Sequence, residues 1–357
     1  MKKWIANAMI AAFGGMLAAF GGMLAACGGG ASASLDAPGA APIDTPPNVW
    51  TFVPMAGTTC ANGTPAAIAV DRAPTGSSDL FVYFEGGGAC WDENTCFTLK
   101  SAVRIDAPYD LAAFQMELPA LSSSPIFDRS AAGNPFKDAT YVYVPYCTGD
   151  IHAGTRVATY GAHTVHHTGH TNAQTFVDAL RATLPDTARI WVTGSSAGGY
   201  GATLDMPLFT AAWPSAEVDV LQDSSLFVPA MNQYATWQTS WALAFPPGCT
   251  SCATSFPSVI AALTAAHPAS RIGLLTFRDD AVLESYLGYG AGTLAPAIDS
   301  LIASQYGLAT THAFELDGTS HTMIGQYATL TGKGGVKLED WIHQWATGDA
   351  AWTTVKP

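Results

Sequence analysis

Short runs of β-branched and aromatic residues alternate with longer helical patterns between about residues 48 and 350. This alternation predicts an α/β fold, in which helices cover both faces of a mostly parallel sheet. Strands are predicted at residues 66–70, 80–84, 140–144, 189–193, 217–221, 272–277 and 312–316, and helices at residues 173–183, 198–209, 258–266, 294–306 and 338–345. Residues 86–137 follow no regular pattern and are expected to shape a binding cleft, with a plain surface excursion as the alternative. No second domain boundary is visible in the sequence, so residues 48–357 are expected to form a single catalytic domain.

The first 27 residues have the pattern of an export signal. Lys2 and Lys3 precede a long uncharged run that ends in Leu-Ala-Ala-Cys27, a sequence that resembles a bacterial lipoprotein cleavage site. A transmembrane helix is the alternative, but the glycines in this run disfavour a helix. Residues 28–47 are rich in Gly, Ala, Ser and Pro, which predicts a disordered tether. The protein is therefore expected to be exported, and either anchored to the cell envelope through a lipid on Cys27 or secreted.

The charge balance narrows the possible partners. The net charge is −13, charged residues make up 12% of the chain, and Lys and Arg do not cluster beyond Lys2 and Lys3. Binding to a phosphate backbone depends on clustered cations, so a nucleic-acid partner is excluded. Contact with a membrane is expected only through the lipid anchor, and the oligomeric state stays open.

The cysteines also point to an oxidising compartment. Beside Cys27 the chain has six more, and an even number in an exported protein indicates disulfides. Cys90–Cys96 and Cys249–Cys252 would close short local loops. Cys60–Cys147 is then the remaining pair. Cys249 and Cys252 could instead form half of a zinc site, but no second pair of ligands lies nearby.

The strongest chemical motif is Gly194-Ser-Ser-Ala-Gly198, which follows a predicted strand and precedes a predicted helix. This is the context of a nucleophile elbow, in which a serine occupies a strained turn between small residues. The G-x-S-x-G register selects Ser196 rather than Ser195. The start of the following helix favours the negative charge that develops during acyl transfer. An ordinary Gly/Ser-rich turn is the alternative interpretation.

A glycine-rich turn follows the buried strand predicted at residues 80–84. Its sequence, Glu-Gly-Gly-Gly-Ala-Cys, places unhindered backbone N–H groups where a hydrolase of this architecture stabilises an oxyanion. Gly87 and Gly88 are the predicted donors, together with the amide of Ala197. A simple flexible turn is the alternative.

A serine nucleophile needs a histidine base and a carboxylate that orients it. His321 is the predicted base, because it follows the last predicted strand and completes the chain order Ser, Asp, His. The strand ending at Phe277 leads to Asp279 and Asp280, and Asp280 is preferred as the acid. Asp279 stays an alternative, whereas Asp223 is interpreted as a structural acid.

Four further histidines cluster at positions 163, 166, 167 and 170. Their spacing could place them on one helical face and bind a metal, but the neighbouring glycines disfavour a helix and no carboxylate is interleaved. His163, His166, His167 and His170 are therefore expected to lie in a polar loop at the cleft. His152 is expected either to face the site or to make a structural hydrogen bond. No metal and no organic cofactor are expected.

Five blocks of the chain together resemble the pectin acetylesterase / Notum family. They fall in the family's order and lie at residues 60–65, 84–90, 145–149, 194–199 and 317–321. The resemblance covers about residues 48–346. It implies an α/β-hydrolase fold, a serine carboxylesterase activity and the three disulfides named above. It also implies a role for each of the residues that match its motifs: Ser196 as nucleophile, His321 as base, Asp279 or Asp280 as acid, and Gly87, Gly88 and Ala197 as oxyanion donors.

One departure from the Notum-like pattern concerns the oxyanion turn. Those members carry a Trp there, whereas this chain has Gly88 followed by Ala89, so the shape of the acyl pocket is not carried over. The expected function is removal of O-acetyl or other short acyl groups from carbohydrate through an acyl-enzyme. One alternative is a carboxylesterase or lipase acting on longer chains or polyesters. The other is a noncatalytic surface-binding lipoprotein.

Overall fold

The computed structural model describes residues 41–74, 76–229 and 233–357. The predicted signal peptide, with Cys27, and most of the predicted tether lie outside the described residues. None of the helices in these ranges has the length and apolar character needed to cross a membrane.

A mostly parallel sheet of eight strands forms the centre of the fold, as the sequence pattern predicts. Its order is β1-β2-β4-β3-β7-β8-β9-β10, and only the β1–β2 and β2–β4 pairs are antiparallel. Two further strands, β5 and β6, form a separate antiparallel hairpin. The strands are β1 Thr51–Pro54, β2 Ala67–Asp71, β3 Asp79–Phe84, β4 Thr140–Val144, β5 Arg156–Tyr160, β6 His163–His167, β7 Arg189–Ser195, β8 Glu217–Asp223, β9 Ile272–Phe277 and β10 Thr311–Leu316.

The helices follow the strands that they connect. They are α1 Leu111–Ser123, α2 Gly169–Thr183, α3 Ala197–Leu204, α4 Met206–Ala212, α5 Gln233–Trp241, α6 Ser258–Ala266, α7 Ala281–Leu287, α8 Ala295–Gln305 and α9 Leu338–Thr347. Every residue of β4 and of β9 is buried, which is the pattern of strands covered on both faces. The continuous apolar runs of the sequence therefore mark the middle of the sheet.

The prediction of one continuous helix at residues 198–209 is wrong. It is divided into α3 and α4 at Asp205, which ends the first helix and precedes the second. Pro207 lies in the first turn of α4 and has no N–H to donate to the preceding turn, so it interrupts the hydrogen-bond ladder.

The segment at residues 86–137 is more regular than its sequence suggests. It contains α1, whose first turn is capped by the Asp110 side chain accepting a hydrogen bond from the Ala113 N–H. The hairpin of β5 and β6 and the helices α5 and α7 are also absent from the sequence prediction. These elements are short, so apolar periodicity alone does not define them.

The structure pairs the six described cysteines as Cys60–Cys147, Cys90–Cys96 and Cys249–Cys252. The first bond joins the segment before β2 to the segment after β4, across 87 residues of sequence. The third spans a separation of only 3 residues. The entropy that a cross-link removes from the unfolded chain increases with loop length, so the first bond should contribute the most stability.

We expect the double variant Cys60→Ala/Cys147→Ala to lose about 4–5 kcal/mol of unfolding free energy and Cys249→Ala/Cys252→Ala about 2 kcal/mol, because the two loops differ in length. Urea denaturation of both variants and the unmutated protein measures the difference. Equal losses would contradict the loop-length explanation.

Candidate active site

Ser196 lies in a sharp turn between the end of β7 and the start of α3. Its backbone angles are φ 57° and ψ −123°, a strained conformation for a residue with a side chain. Its N–H donates a hydrogen bond to the Asp223 carbonyl at 2.7 Å, and its carbonyl accepts one from Ser225 Oγ at 2.7 Å. The surrounding structure therefore holds the strained turn through both of its peptide groups.

Two glycines allow this turn to pack directly on the end of β3. A side chain at Gly194 would place Cβ 2.6 Å from the Phe84 carbonyl oxygen, and one at Gly198 would meet the same oxygen even more closely. Because the obstructing atoms belong to the backbone, they cannot move aside as a flexible side chain could. The small residues in the motif are thus a steric requirement of the contact between β3 and the serine turn.

The predicted oxyanion turn follows β3 immediately. Gly87 and Gly88 both have positive φ, of 151° and 78°, which favours glycine at these positions. Within the described part of the chain, the N–H groups of Gly87, Gly88 and Ala197 have no hydrogen-bond acceptor. Gly88 and Ala197 line the same pocket as Ser196, whereas Gly87 does not line it. The turn therefore presents unpaired donors beside the serine.

An ion pair that the sequence analysis did not identify supports the oxyanion turn from behind. The Glu85 carboxylate accepts a bidentate pair of hydrogen bonds from Arg104, at 2.6 and 2.9 Å, and a third from the Tyr146 N–H at 2.8 Å. Arg104 also contacts Glu117 of α1. A lone glutamate before three glycines was the sole sequence signal, and Arg104 lies in the segment predicted to be irregular.

The structure brings His321 and Asp280 together. His321 Nδ1 lies 2.7 Å from Asp280 Oδ2, and the other carboxylate oxygen accepts hydrogen bonds from the N–H groups of Val282 and Leu283, each at 3.0 Å. Asp280 is fully buried and caps the start of α7. One oxygen thus fixes the aspartate to a helix while the other is available to orient the imidazole.

Asp279 points elsewhere and is partly exposed. Its N–H donates to the Gly318 carbonyl at 3.0 Å, and its side chain has no hydrogen-bond or ion-pair partner among the described residues. Asp279 lies in the turn after β9 whereas Asp280 caps α7, which explains why two adjacent aspartates have such different surroundings.

Asp223 lies at the end of β8 and does not contact His321 directly. Its carboxylate accepts hydrogen bonds from Ser195 Oγ at 2.6 Å and from the N–H groups of Met323 and Ile324 at 2.7 and 3.0 Å. Burial raises its pKa to about 6, although these hydrogen bonds favour the charged form. Asp223 therefore connects the serine turn to the loop that carries His321.

A narrow apolar pocket opens beside Ser196. About 20 Å³ of it is open to the centre of a water molecule, which is space for roughly one small group. The pocket is lined by Gly88, Ala89, Ile151, Ser196, Ala197, Tyr200, Trp237, Leu283, Tyr286 and Leu287. The hydroxyl group of Tyr286 donates to the Ser101 carbonyl, so this wall of the pocket is fixed.

The histidine cluster is dispersed, and its predicted location in a loop is wrong for all four histidines. His163, His166 and His167 lie on β6, where alternate residues face opposite sides, and His170 lies in α2. His167 is buried with Nδ1 2.8 Å from the Thr148 carbonyl, while His170 Nδ1 lies 2.6 Å from Asp205. Within the described ranges no three potential metal ligands are grouped.

His152 makes a structural hydrogen bond, which is one of the two roles predicted for it. Its Nε2 lies 2.8 Å from the Glu85 carbonyl oxygen. Burial lowers its pKa to about 4, so the ring is neutral at neutral pH. Its ring packs beside Phe84 and Tyr146, at the base of the oxyanion turn.

Comparison with known protein families identifies the family to which the chain belongs. Residues 47–246 match the family model described as pectinacetylesterase, and this match covers more than half of the chain. The protein therefore belongs to the pectinacetylesterase family. The match includes the serine and oxyanion turns but ends before Asp280 and His321.

Curated relatives match at modest identity. The palmitoleoyl-protein carboxylesterase notum1' of Xenopus laevis is 29% identical over 188 residues, 51% of this chain and 36% of that protein. The NOTUM carboxylesterase of Schmidtea mediterranea is 29% identical over 133 residues, 36% of this chain and 24% of that protein. A Danio rerio protein described as the inactive palmitoleoyl-protein carboxylesterase notum1b is 30% identical over 97 residues, 27% of this chain and 66% of that protein. The chain spans about a third of the length of the Xenopus relatives.

We expect Asp280→Asn to slow the labelling of Ser196 by a fluorophosphonate by about 10³–10⁴-fold, because the amide still caps α7 but no longer holds the imidazole in the required tautomer. Asp279→Asn is the matched control and should label within about twofold of the unmutated protein. Intact-protein mass spectrometry over time gives both rates. Slow labelling of Asp279→Asn with normal labelling of Asp280→Asn would reverse the assignment.

Proposed function

We propose that residues 48–357 form a serine carboxylic ester hydrolase with an α/β-hydrolase fold. The observation that carries the proposal is the contact of 2.7 Å between His321 Nδ1 and Asp280 Oδ2. His321 lies on a loop that is hydrogen-bonded to Asp223, and Asp223 also accepts a hydrogen bond from the strained Ser196 turn. Unpaired N–H groups beside the same serine supply the remaining requirement of acyl transfer. Membership of the pectinacetylesterase family supports the same reaction class.

In the proposed reaction, Ser196 Oγ attacks the ester carbonyl carbon while His321 Nε2 accepts the hydroxyl proton. The N–H groups of Gly87, Gly88 and Ala197 donate to the oxyanion that forms. The tetrahedral intermediate collapses when His321 returns the proton to the leaving alcohol, and the acyl group stays on Ser196. Water then attacks the acyl-enzyme by the same sequence and releases the carboxylic acid.

Asp280 supports this cycle by accepting a hydrogen bond from the Nδ1–H group of His321, which leaves Nε2 free to accept the serine proton. Ser196 Oγ forms no hydrogen bond with the described residues in the unliganded protein. Catalytic hydrogen bonds of this kind often tighten only when substrate is bound. The reaction as proposed uses protein groups and water.

The acyl group is proposed to be small. Only about 20 Å³ beside Ser196 is open to the centre of a water molecule, which is room for one small group such as an acetyl methyl and not for the long hydrocarbon chain of a lipid. The family description supports an O-acetylated carbohydrate as substrate. The net charge of −13 favours a neutral carbohydrate over a polyanionic one.

A carboxylesterase or lipase acting on longer acyl chains is the second candidate. The names of the NOTUM relatives, which are palmitoleoyl-protein carboxylesterases, favour it. The pocket opposes it, because its walls include the fully buried side chains of Trp237 and Leu287. Trp237 would have to move for a long chain to enter.

A noncatalytic binding protein is the third candidate, and the inactive Danio rerio relative is a precedent for loss of activity. The strained Ser196 opposes this candidate, because a binding module gains nothing from an unfavourable backbone conformation.

For the location of the protein, we propose an exported lipoprotein anchored through Cys27. The three disulfides support an oxidising compartment.

We expect the protein to hydrolyse p-nitrophenyl acetate and Ser196→Ala to lose about 10⁴-fold or more in kcat, because the nucleophile is gone. Ser195→Ala is the control for the neighbouring serine and should keep turnover within about tenfold. Spectrophotometric assays of p-nitrophenol release by the purified variants measure both turnover rates. Equal activity in Ser196→Ala, or no turnover of any p-nitrophenyl ester by the unmutated protein, would refute the proposed hydrolase.

We expect kcat/KM to decrease from acetate to butyrate to longer p-nitrophenyl esters. Leu287→Ala should raise the butyrate-to-acetate ratio by about tenfold, because it enlarges the acyl pocket. Leu301→Ala is the matched control: Leu301 is a buried leucine of α8 outside the pocket, so its variant should lose stability but keep the ratio. A preference for long chains in the unmutated protein would instead support the lipase.

A further inference from the structure

Three consecutive residues at the end of β8 join the two segments that carry the proposed catalytic groups. We call Asp223, Ser224 and Ser225 the β8 clamp. On one side the clamp bonds to the serine turn: the Asp223 carbonyl accepts from the Ser196 N–H, and Ser225 Oγ donates to the Ser196 carbonyl, both at 2.7 Å.

On its other side the clamp holds the loop that follows β10. The Thr322 N–H donates to Ser224 Oγ at 3.0 Å. The next two N–H groups, of Met323 and Ile324, donate to the two oxygens of the Asp223 carboxylate at 2.7 and 3.0 Å. His321 immediately precedes these three peptide groups, so the clamp fixes the backbone on which the imidazole is mounted.

Asp223 is the centre of the clamp, and no described residue forms a salt bridge with it. Its side chain is fully buried, and every group that it bonds in the described chain is a hydrogen-bond donor. Ser195 Oγ donates to Asp223 and accepts from the Tyr83 hydroxyl group at 2.9 Å, which extends the network to β3. A buried carboxylate is costly, so its retention here indicates a positional requirement.

We infer that Asp223 is a positioning residue, which sets the distance between Ser196 and His321 by bonding the serine turn and the histidine loop at once. The inference rests on the hydrolase function proposed above. Misplacing two reacting groups by about 1 Å can cost about 10²-fold in rate. The binding of substrate would be affected less, because six of the ten residues that line the acyl pocket lie on α7, α5 and the oxyanion turn, which the clamp does not bond.

Asp223→Asn tests this role because it changes one acceptor to a donor at nearly constant volume. Whichever carboxylate position the new NH₂ group occupies, it faces the N–H of either Met323 or Ile324, so one link to the histidine loop is lost. Asp219→Asn is the matched control. Asp219 lies on the same strand and the same face, is also fully buried, and bonds Arg271 at the opposite end of β8.

We expect Asp223→Asn to lower kcat for p-nitrophenyl acetate by about 10²-fold with KM within about threefold of the unmutated value. Asp219→Asn should be destabilised in thermal unfolding yet keep kcat within about twofold. Should Asp223→Asn fail to fold, Ser224→Ala removes only the acceptor for Thr322 and should lower kcat by about threefold to tenfold, again at constant KM.

The outcomes separate this inference from the proposed function. If the unmutated protein hydrolyses the ester and Ser196→Ala does not, the hydrolase function holds whatever the clamp variants do. The inference is overturned if folded Asp223→Asn keeps kcat within about twofold, or if Asp219→Asn loses as much kcat as Asp223→Asn. If only Ser224→Ala can be measured, an unchanged kcat in that variant overturns it.

Discussion

The strained backbone of Ser196 is the constraint on which the rest of the site depends. A positive φ at a residue with a side chain persists only where the surroundings compensate for its cost. Here both peptide groups of Ser196 are hydrogen-bonded to the end of β8, and the glycines on either side allow the turn to press against the carbonyl of Phe84. That contact also brings the oxyanion turn, which continues from Phe84, next to the serine. One steric arrangement therefore explains the motif, the proximity of the two turns and the free N–H groups between them.

The sequence predicts most clearly those parts of the site that are local. The α/β class and all seven predicted strands are confirmed with shifts of one or two residues, because fully buried parallel strands are continuous apolar runs. The serine and oxyanion turns follow directly from such strands, so their places in the fold were predictable. The helix break at Asp205 was not predicted, although Pro207 in the sequence was a signal for it.

The remaining features depend on tertiary contacts that the sequence does not encode locally. The choice between Asp279 and Asp280 requires the direction of each side chain at the start of α7, and a difference of one residue in chain position carries no such information. Asp223 was interpreted as structural although it follows a predicted strand, and its partners in the histidine loop lie 100 and 101 residues away in sequence. The Glu85–Arg104 pair was missed for the same reason, since its contacts form only after the chain has folded.

The account centres on a covalent acyl group carried by Ser196, and rapid chemical quenching during turnover of p-nitrophenyl acetate tests it most directly. Peptide mass spectrometry of the quenched protein should find the mass of one acetyl group on the peptide that contains Ser196, and fragmentation should place it on that residue. The acetylated fraction should rise before steady state and disappear when the ester is exhausted. An acetyl group on Ser195 or on any other residue, or full turnover with no acetylated peptide at any time, would contradict the account.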